Sequence, residues 1–156
     1  MEKKLKTVIT YGTFDMFHIG HLRMLQRLAE MGNKLIVAVS SDEFNALKGK
    51  KCLISYEQRA EIIGNLKMVD LVIPETHWEQ KVEDVQKYDV DIFAIGDDWE
   101  GKFDFLKEFC EVKYMERTKD ISTTQLKKSL SKFLTIPKED IIRALEVLEI
   151  LKKDLE

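Results

Sequence analysis

Short apolar runs alternate with stretches of helical periodicity along most of the chain. Thr7–Thr10 (TVIT) is a β-branched run that ends in Tyr11-Gly12, as a strand entering a loop does. From Ile19 the apolar positions Ile19, Leu22, Leu25, Leu28 and Ala29 recur at helical spacing until Met31-Gly32-Asn33 closes the segment. Leu35–Val39 (LIVAV) is a continuous apolar run of the kind found in strands buried on both faces, and Ser41-Asp42-Glu43 then offers a helix start. Beyond the basic loop Lys48-Gly49-Lys50-Lys51, Ser55 stands as an N-cap with Gln58 at the capping-box position, which predicts a helix to about Asn65. The pattern continues with a strand at Leu71–Ile73, a helix over His77–Tyr88, a strand at Ile92–Ile95 ending in Gly96-Asp97-Asp98, and a last strand at Val112–Met115.

Such alternation predicts an α/β fold: a Rossmann-like parallel sheet with right-handed crossovers and helices on both faces, binding its ligands beyond the carboxyl ends of the strands. Ser122-Thr123-Thr124 opens a further helix to about Phe133, and Pro137 separates it from a C-terminal helix over Lys138–Leu155. That helix carries Ile141, Ala144, Leu148, Leu151 and Leu155 at alternating spacings of three and four. A stripe of this kind packs on its own domain or forms a contact with a second subunit.

Composition narrows the classes. A chain of 156 residues makes one domain of average size, and 44% hydrophobic with 34% charged residues describes a globular protein rather than a disordered one. Its 25 Lys plus Arg against 28 Asp plus Glu give a formal charge of -3, which lacks the basic excess of a nucleic-acid binder but leaves room for a local basic site. Cys52 and Cys110 form no CxxC pair and have no neighbouring Cys/His cluster, so no structural zinc is expected and a reducing, cytoplasmic home fits. The apolar stretch after the basic N-terminus ends at Tyr11-Gly12, far short of the ~20 residues that span a bilayer, so no membrane insertion is expected.

Three loops are polar where strands end: Gly12–His21, Gly96–Trp99 and Arg117–Thr124. In the first, Gly12-Thr13-Phe14-Asp15 leads to His18-Ile19-Gly20-His21. Histidines three apart at a helix start share one face of its first turn, and Gly20 between them lets a bulky ligand approach the backbone. The free amides and dipole of that helix end attract phosphate, and imidazoles there can stabilise charge that grows as a P–O bond breaks. Taken singly, either histidine also reads as a cap or a core residue, and zinc binding is a further use of the spacing. In the third loop, Arg117 can grip phosphate and is followed by a hydroxyl-rich helix start.

Thr13-Phe14-Asp15 with His18-Ile19-Gly20-His21 resembles the HxGH motif of the nucleotidyltransferase superfamily, and Arg117-Thr118-Lys119-Asp120-Ile121-Ser122-Thr123-Thr124 is similar to the RTxGISTT motif of its cytidylyltransferase family. Tyr56-Glu57-Gln58-Arg59, His77-Trp78-Glu79-Gln80-Lys81 and Gly96-Asp97-Asp98-Trp99-Glu100-Gly101-Lys102 extend the likeness to the bacterial glycerol 3-phosphate branch, from about Val8 to about Leu130. The resemblance implies a catalytic domain at residues 1–133 and a C-terminal helical extension at 134–156. It implies transfer of a cytidylyl group from CTP to glycerol 3-phosphate by in-line attack on the α-phosphate, releasing diphosphate and feeding teichoic acid or capsule synthesis. By the same resemblance His18, His21, Lys48 and Arg117 are catalytic. Thr13, Phe14, His18, Ile19, Gly20, His21, Lys50 and Arg117, Thr118, Lys119, Asp120, Ile121, Ser122, Thr123 and Thr124 contact CTP, while Lys48, Lys81, Arg59 and Trp78 meet the acceptor. Mg2+ is expected on the CTP phosphates with no protein ligand set, and a homodimer is expected.

Three departures stand out. Lys119-Asp120 replaces an acidic-glycine pair, a cost if φ at Asp120 is positive, although Asp tolerates that region comparatively well. Ile19 stands in place of Trp, and Lys67 in place of Arg. Other readings keep the chemistry with ribitol 5-phosphate or phosphoethanolamine as acceptor, or with ATP as nucleotide, or make the chain a non-catalytic nucleotide-binding module.

Overall fold

The computed structural model describes residues 5–153. Strands β1 (Thr7–Gly12), β2 (Lys34–Ser40), β3 (Leu71–Glu75), β4 (Ile92–Gly96) and β5 (Glu111–Met115) form one sheet in the order β3-β2-β1-β4-β5, every pairing parallel. Helices α1 (Ile19–Ala29), α2 (Asp42–Leu47), α3 (Tyr56–Gly64) and α4 (Gln80–Lys87) occupy the connections. The strand order reverses between β1 and β4, which creates a crevice beyond their carboxyl ends.

Period-two alternation within the strands builds two cores. Val8, Leu35, Val37, Val39, Ile92 and Ala94 point to one face and pack with Leu25 and Leu28 of α1 and Ile63 of α3. The intervening Ile9, Tyr11, Ile36, Ala38, Phe93 and Ile95 point to the other, against Val85 of α4 and Leu106 of a short 3-10 segment, Asp104–Glu108. Central strands therefore bury both faces, which is why their sequences read as unbroken apolar runs.

At the amino edge of the sheet one device is used twice. Asp91 N–H donates to the Thr7 carbonyl and its Oδ2 accepts from Thr7 N–H, both at 2.9 Å. Asp70 does the same with Leu35, donating at 2.9 Å and accepting at 2.7 Å. Each aspartate begins its segment just after a valine (Val69, Val90) and pins the register of the neighbouring strand from below.

Three local expectations are corrected. The helix expected from His77 starts at Gln80, because Gln80 Oε1 accepts from Thr76 N–H (2.6 Å) and His77 N–H (3.3 Å) and holds that stretch as a turn. Ser55 makes no side-chain cap bond. The Tyr56 amide is taken instead by Asp42 Oδ2 at 2.9 Å, so α3 is capped from α2 and the expected capping box does not form. Asp97–Trp99 and Asp104–Glu108 are 3-10 turns with no periodic signal in the sequence.

The chain divides into two compact units, one ending at Ile121 and one beginning at Ser122, ahead of the expected break after residue 133. In the second unit Ser122 Oγ caps α5 (Thr123–Leu134) by accepting from Gln125 N–H at 3.1 Å, and α6 (Lys138–Lys153) follows Pro137. Neither helix buries a residue. Ile141, Leu148 and Leu151 of the expected stripe are 47–61% exposed, and Leu155 lies outside the described residues. Among the described residues no helix is long and apolar enough to cross a membrane.

Asp91→Ala should lower the free energy of unfolding by about 1–2 kcal/mol, since it leaves the Thr7 amide without its charged acceptor. A urea titration checks this, and an unchanged midpoint would contradict the clasp.

Candidate active site

The loops that follow the strands gather at one edge, and the first begins with strain. Phe14 and Met16 have φ of 54° and 51°, in the left-handed region that bulky residues avoid. This tight path buries the Phe14 ring edge-on to His21, with centroids 5.4 Å apart. Asp15, 3% exposed, turns inward, and its two carboxylate oxygens accept from Leu53 N–H (2.9 Å) and Ile54 N–H (3.0 Å).

His18 and His21 form a reciprocal capping box at the start of α1. His18 Nδ1 accepts from Gly20 N–H at 3.0 Å, and His21 Nδ1 accepts from His18 N–H at 3.3 Å. The rings stack at 3.8 Å. Both histidines are therefore caps of α1, one of the readings the bare sequence allows. An Nδ1 that accepts a backbone hydrogen bond carries no proton, so each neutral ring bears its proton on Nε2. Electrostatics keep the rings neutral: burial lowers the pKa of His18, while burial first and then neighbouring His18 bring His21 down to about 4, Asp15 pulling it back up and Arg117 adding a smaller downward push. Two uncharged N–H donors result.

Gly20 is required by two neighbours. A Cβ there would lie 2.8 Å from His18 Cε1 and 3.1 Å from Ile121 Cγ2, so a larger residue would push apart the cap and the third loop. That contact joins the first and third motifs. Arg27 of α1 strengthens the junction by donating to the Glu116 carbonyl at 2.7 Å, and Arg117 pairs with Asp98 from the end of β4. The three loops picked out in the sequence therefore do meet. Asp120 has φ of 65°, so this chain bears an aspartate where the backbone is left-handed.

Arg59 corrects an expectation. Instead of facing a ligand, its side chain is 1% exposed and spent on protein partners: Nε donates to the Ile54 carbonyl (2.9 Å), Nη1 to the carbonyls of Thr13 (2.6 Å) and Ser40 (2.9 Å), and Nη2 to Asp42 Oδ1 (2.6 Å). It shares the core face of α3 with Ile63, one helical turn on, a spacing by which the sequence itself marks it as buried.

Lys48, Lys81 and Trp78 are brought together, as expected of them, but around an unforeseen residue. Glu75, the last residue of β3 and 3% exposed, pairs with Lys81 Nζ at 2.7 Å and lies 3.8 Å from Lys48 Nζ. Lys81 is 1% exposed, inside the rings of Tyr11, Trp78 and Phe103, whose centroids lie 4.6–5.4 Å from Nζ. Lys48 Nζ lies 4.3 Å from the Phe44 centroid and donates to Ser40 Oγ at 3.2 Å. Burial pulls its pKa down while Glu75 pulls it back up. Lys50 is exposed and lines a cavity of about 460 Å3 with Asp42, Cys52 and Leu53. Thr13 Oγ1 donates to buried Asn45 Oδ1 at 3.0 Å, Ile19 is exposed on the first turn of α1, and Thr118 and Ile121 are half-buried while Lys119 is exposed. Ser122, Thr123 and Thr124 belong to the second unit, where they begin α5. Glu75, Ser40 and Asn45 were not foreseen. An acidic residue closing the run Leu71–Glu75 was the available sign.

Residues 9–129 match the family described as cytidylyltransferase-like. The chain is 58% identical to the glycerol-3-phosphate cytidylyltransferase of Bacillus spizizenii, covering 81% of this chain and 98% of that one, and 56% identical to the enzyme of that name from Staphylococcus aureus, covering 81% and 96%. It is 36% identical to the FAD synthase of Thermococcus sibiricus over 69% of this chain and 73% of that one. In fold it is similar to the lipopolysaccharide core biosynthesis protein of Thermoplasma volcanium, with a TM-score of 0.65 and 23% identity over 73% of this chain and 98% of that one.

Because the folded chain holds His21 neutral down to about pH 4 whereas an unfolded histidine takes up a proton near 6.5, His21 contributes stability that is complete above pH 6.5 and declines as pH falls toward 4. Unfolding free energies at pH 7 and pH 5 should therefore differ by about 1–2 kcal/mol more in the parent chain than in His21→Asn. Equal differences would contradict the neutral ring.

Proposed function

The chain belongs to the cytidylyltransferase-like family, and from that premise we propose that it is a glycerol-3-phosphate cytidylyltransferase, converting CTP and sn-glycerol 3-phosphate to CDP-glycerol and diphosphate. The observation that carries this reading is the junction of His18, Gly20 and His21 with Ile121 and Arg117 at the crevice between β1 and β4, in a chain 58% identical to an enzyme of that name.

A phosphate oxygen of the acceptor attacks the α-phosphorus of CTP, the new O–P bond forms in line with the one that breaks, and the electron pair leaves with diphosphate. The attacking oxygen is anionic at neutral pH, so no side chain has to remove a proton, and positioning with charge stabilisation supplies the rate. His18 and His21 direct Nε2–H donors at the phosphoryl oxygens, and their neutrality keeps those donors independent of pH near 7. Arg117 exchanges Asp98 for a CTP phosphate, and its planar fork suits two oxygens at once. Thr13, Phe14, Ile19, Gly20, Lys50 and Thr118–Ile121 border the nucleotide, and the motif assigns Ser122, Thr123 and Thr124 the phosphate contacts offered by a helix start. Lys48 and Lys81, beside Trp78, attract the acceptor phosphate.

A Mg2+ ion bound with the nucleotide supplies neutralisation of the triphosphate charge. Asp15 accepts from two backbone amides, and phosphate oxygens and water would supply most of the ion's ligands. The reaction belongs in the cytoplasm, and its product serves teichoic acid or capsule synthesis.

Diphosphate release with CTP should be fastest with glycerol 3-phosphate among glycerol 3-phosphate, ribitol 5-phosphate and phosphoethanolamine, and should fall when ATP replaces CTP. His18→Ala should lower kcat by about 100-fold or more. Faster turnover of another acceptor would overturn the substrate assignment, and no release with any pair would leave a binding module. We further infer that the chain is a homodimer, which the exposed apolar side chains of α6 support. Light scattering at micromolar concentration should give twice the 18.3 kDa chain mass, and a monomer mass would contradict it.

A further inference from the structure

We propose that Glu75 is a positioning residue of the acceptor site, a buried carboxylate at the end of β3 that fixes where the ammonium groups of Lys48 and Lys81 stand. The proposal rests on the cytidylyltransferase reading and deepens it at the acceptor end.

Two lysines that serve one anionic substrate create a difficulty before the substrate arrives. Their like charges repel, and each is set among aromatic rings rather than water: Phe44 and Trp78 beside Lys48, and Tyr11, Trp78 and Phe103 around Lys81. Left alone, one ammonium would lose its proton or swing outward. Glu75 removes the difficulty by standing between them. Its Oε1 holds Lys81 at 2.7 Å, and its Oε2 is bonded by the Ser40 hydroxyl, which itself accepts from Lys48 Nζ at 3.2 Å. The carboxylate is in turn fixed by the sheet, since the Glu75 carbonyl accepts from Ser41 N–H at 2.9 Å and β3 pairs with β2 in register up to Ser40. Two positive charges and one negative leave a net charge of one, enough to attract a phosphate.

Glu75 has no role at the reacting atoms, because the attacking phosphate oxygen is already ionised. It acts through the lysines. The groups that face them are Glu75 from β3, Lys50 and Cys52 from the basic loop, and Tyr11 from β1, whose hydroxyl donates to Asp84 of α4 at 2.8 Å. Of these, Glu75 is the charge closest to both.

Glu75→Gln keeps the shape and removes the charge, while Glu75→Asp keeps the charge and withdraws it by one carbon. Steady-state kinetics with CTP and glycerol 3-phosphate across pH 6–10 separate the two effects. For Glu75→Gln we expect the KM for glycerol 3-phosphate to rise at least fivefold with the KM for CTP within twofold, and the alkaline fall in kcat/KM for the acceptor to begin about one pH unit lower. Glu75→Asp should restore that alkaline limb but keep the raised acceptor KM. A purely structural Glu75 would lower Tm and leave both KM values and the pH profile in place, which would overturn the proposal, as would equal rises in both KM values. Should Glu75→Gln fail to fold, Ser40→Ala, which leaves the Lys81 pair intact, must raise the acceptor KM alone, and an unchanged value would overturn the proposal. An unsubstituted chain that releases no diphosphate would sink the cytidylyltransferase reading itself, a result distinct from these.

Discussion

A single buried guanidinium ties together the edge of the sheet on which the site is built. Arg59 reaches from α3 and satisfies the carbonyls of Thr13 after β1, Ser40 at the end of β2 and Ile54 just ahead of α3, with Asp42 balancing its charge. Asp15 works from the opposite side, taking the amides of Leu53 and Ile54. One cation collects carbonyls and one anion collects amides, so the loop after β1 and the Leu53-Ile54 stretch are fastened by charge-assisted bonds in both directions. Losing the guanidinium would leave buried carbonyls without partners, which costs more than the bonds themselves contribute.

The histidines inherit their geometry from that fastening. With Thr13 held by Arg59 and Asp15 turned inward, the chain passes through two left-handed residues and delivers His18 as the N-cap of α1. The capping box then uses the Nδ1 atoms of both rings for backbone amides, which puts the proton of each neutral ring on Nε2. The same bonds that start the helix therefore set the tautomer of both rings. Preorganised donors of this sort cost nothing to align when charge develops. At the far side of the site the logic differs, because Glu75 pairs with Lys81 and stands beside Lys48, cations rather than neutral rings.

The fold was legible because its strands are apolar on two faces and its helices on one. LIVAV at Leu35–Val39 and the helical spacing of Ile19–Ala29 left little choice, and the three polar loops mapped to the strand ends. The phosphate motifs were legible as local strings. What escaped notice was the set of polar residues whose partners are distant in sequence. Arg59 reads by its motif as a cation of the acceptor site, although its place one turn before Ile63 marks a core face, because the carbonyl it serves at Thr13 lies 46 positions earlier. Glu75 read as the end of a strand because Lys81 and Lys48 meet it only after α2 and α4 have folded onto their faces. Gln80 likewise shortens the expected helix by holding Thr76 and His77 in a turn, and Asp42 takes the amide that Ser55 was expected to serve.

Resonances of the imidazole nitrogens test the central claim most directly, that the capping box presents two neutral rings with their protons on Nε2. In a 15N-labelled chain at pH 7, both His18 and His21 should show an unprotonated Nδ1 and a protonated Nε2. A proton on Nδ1 of either ring, or an imidazolium signal at that pH, would contradict the account.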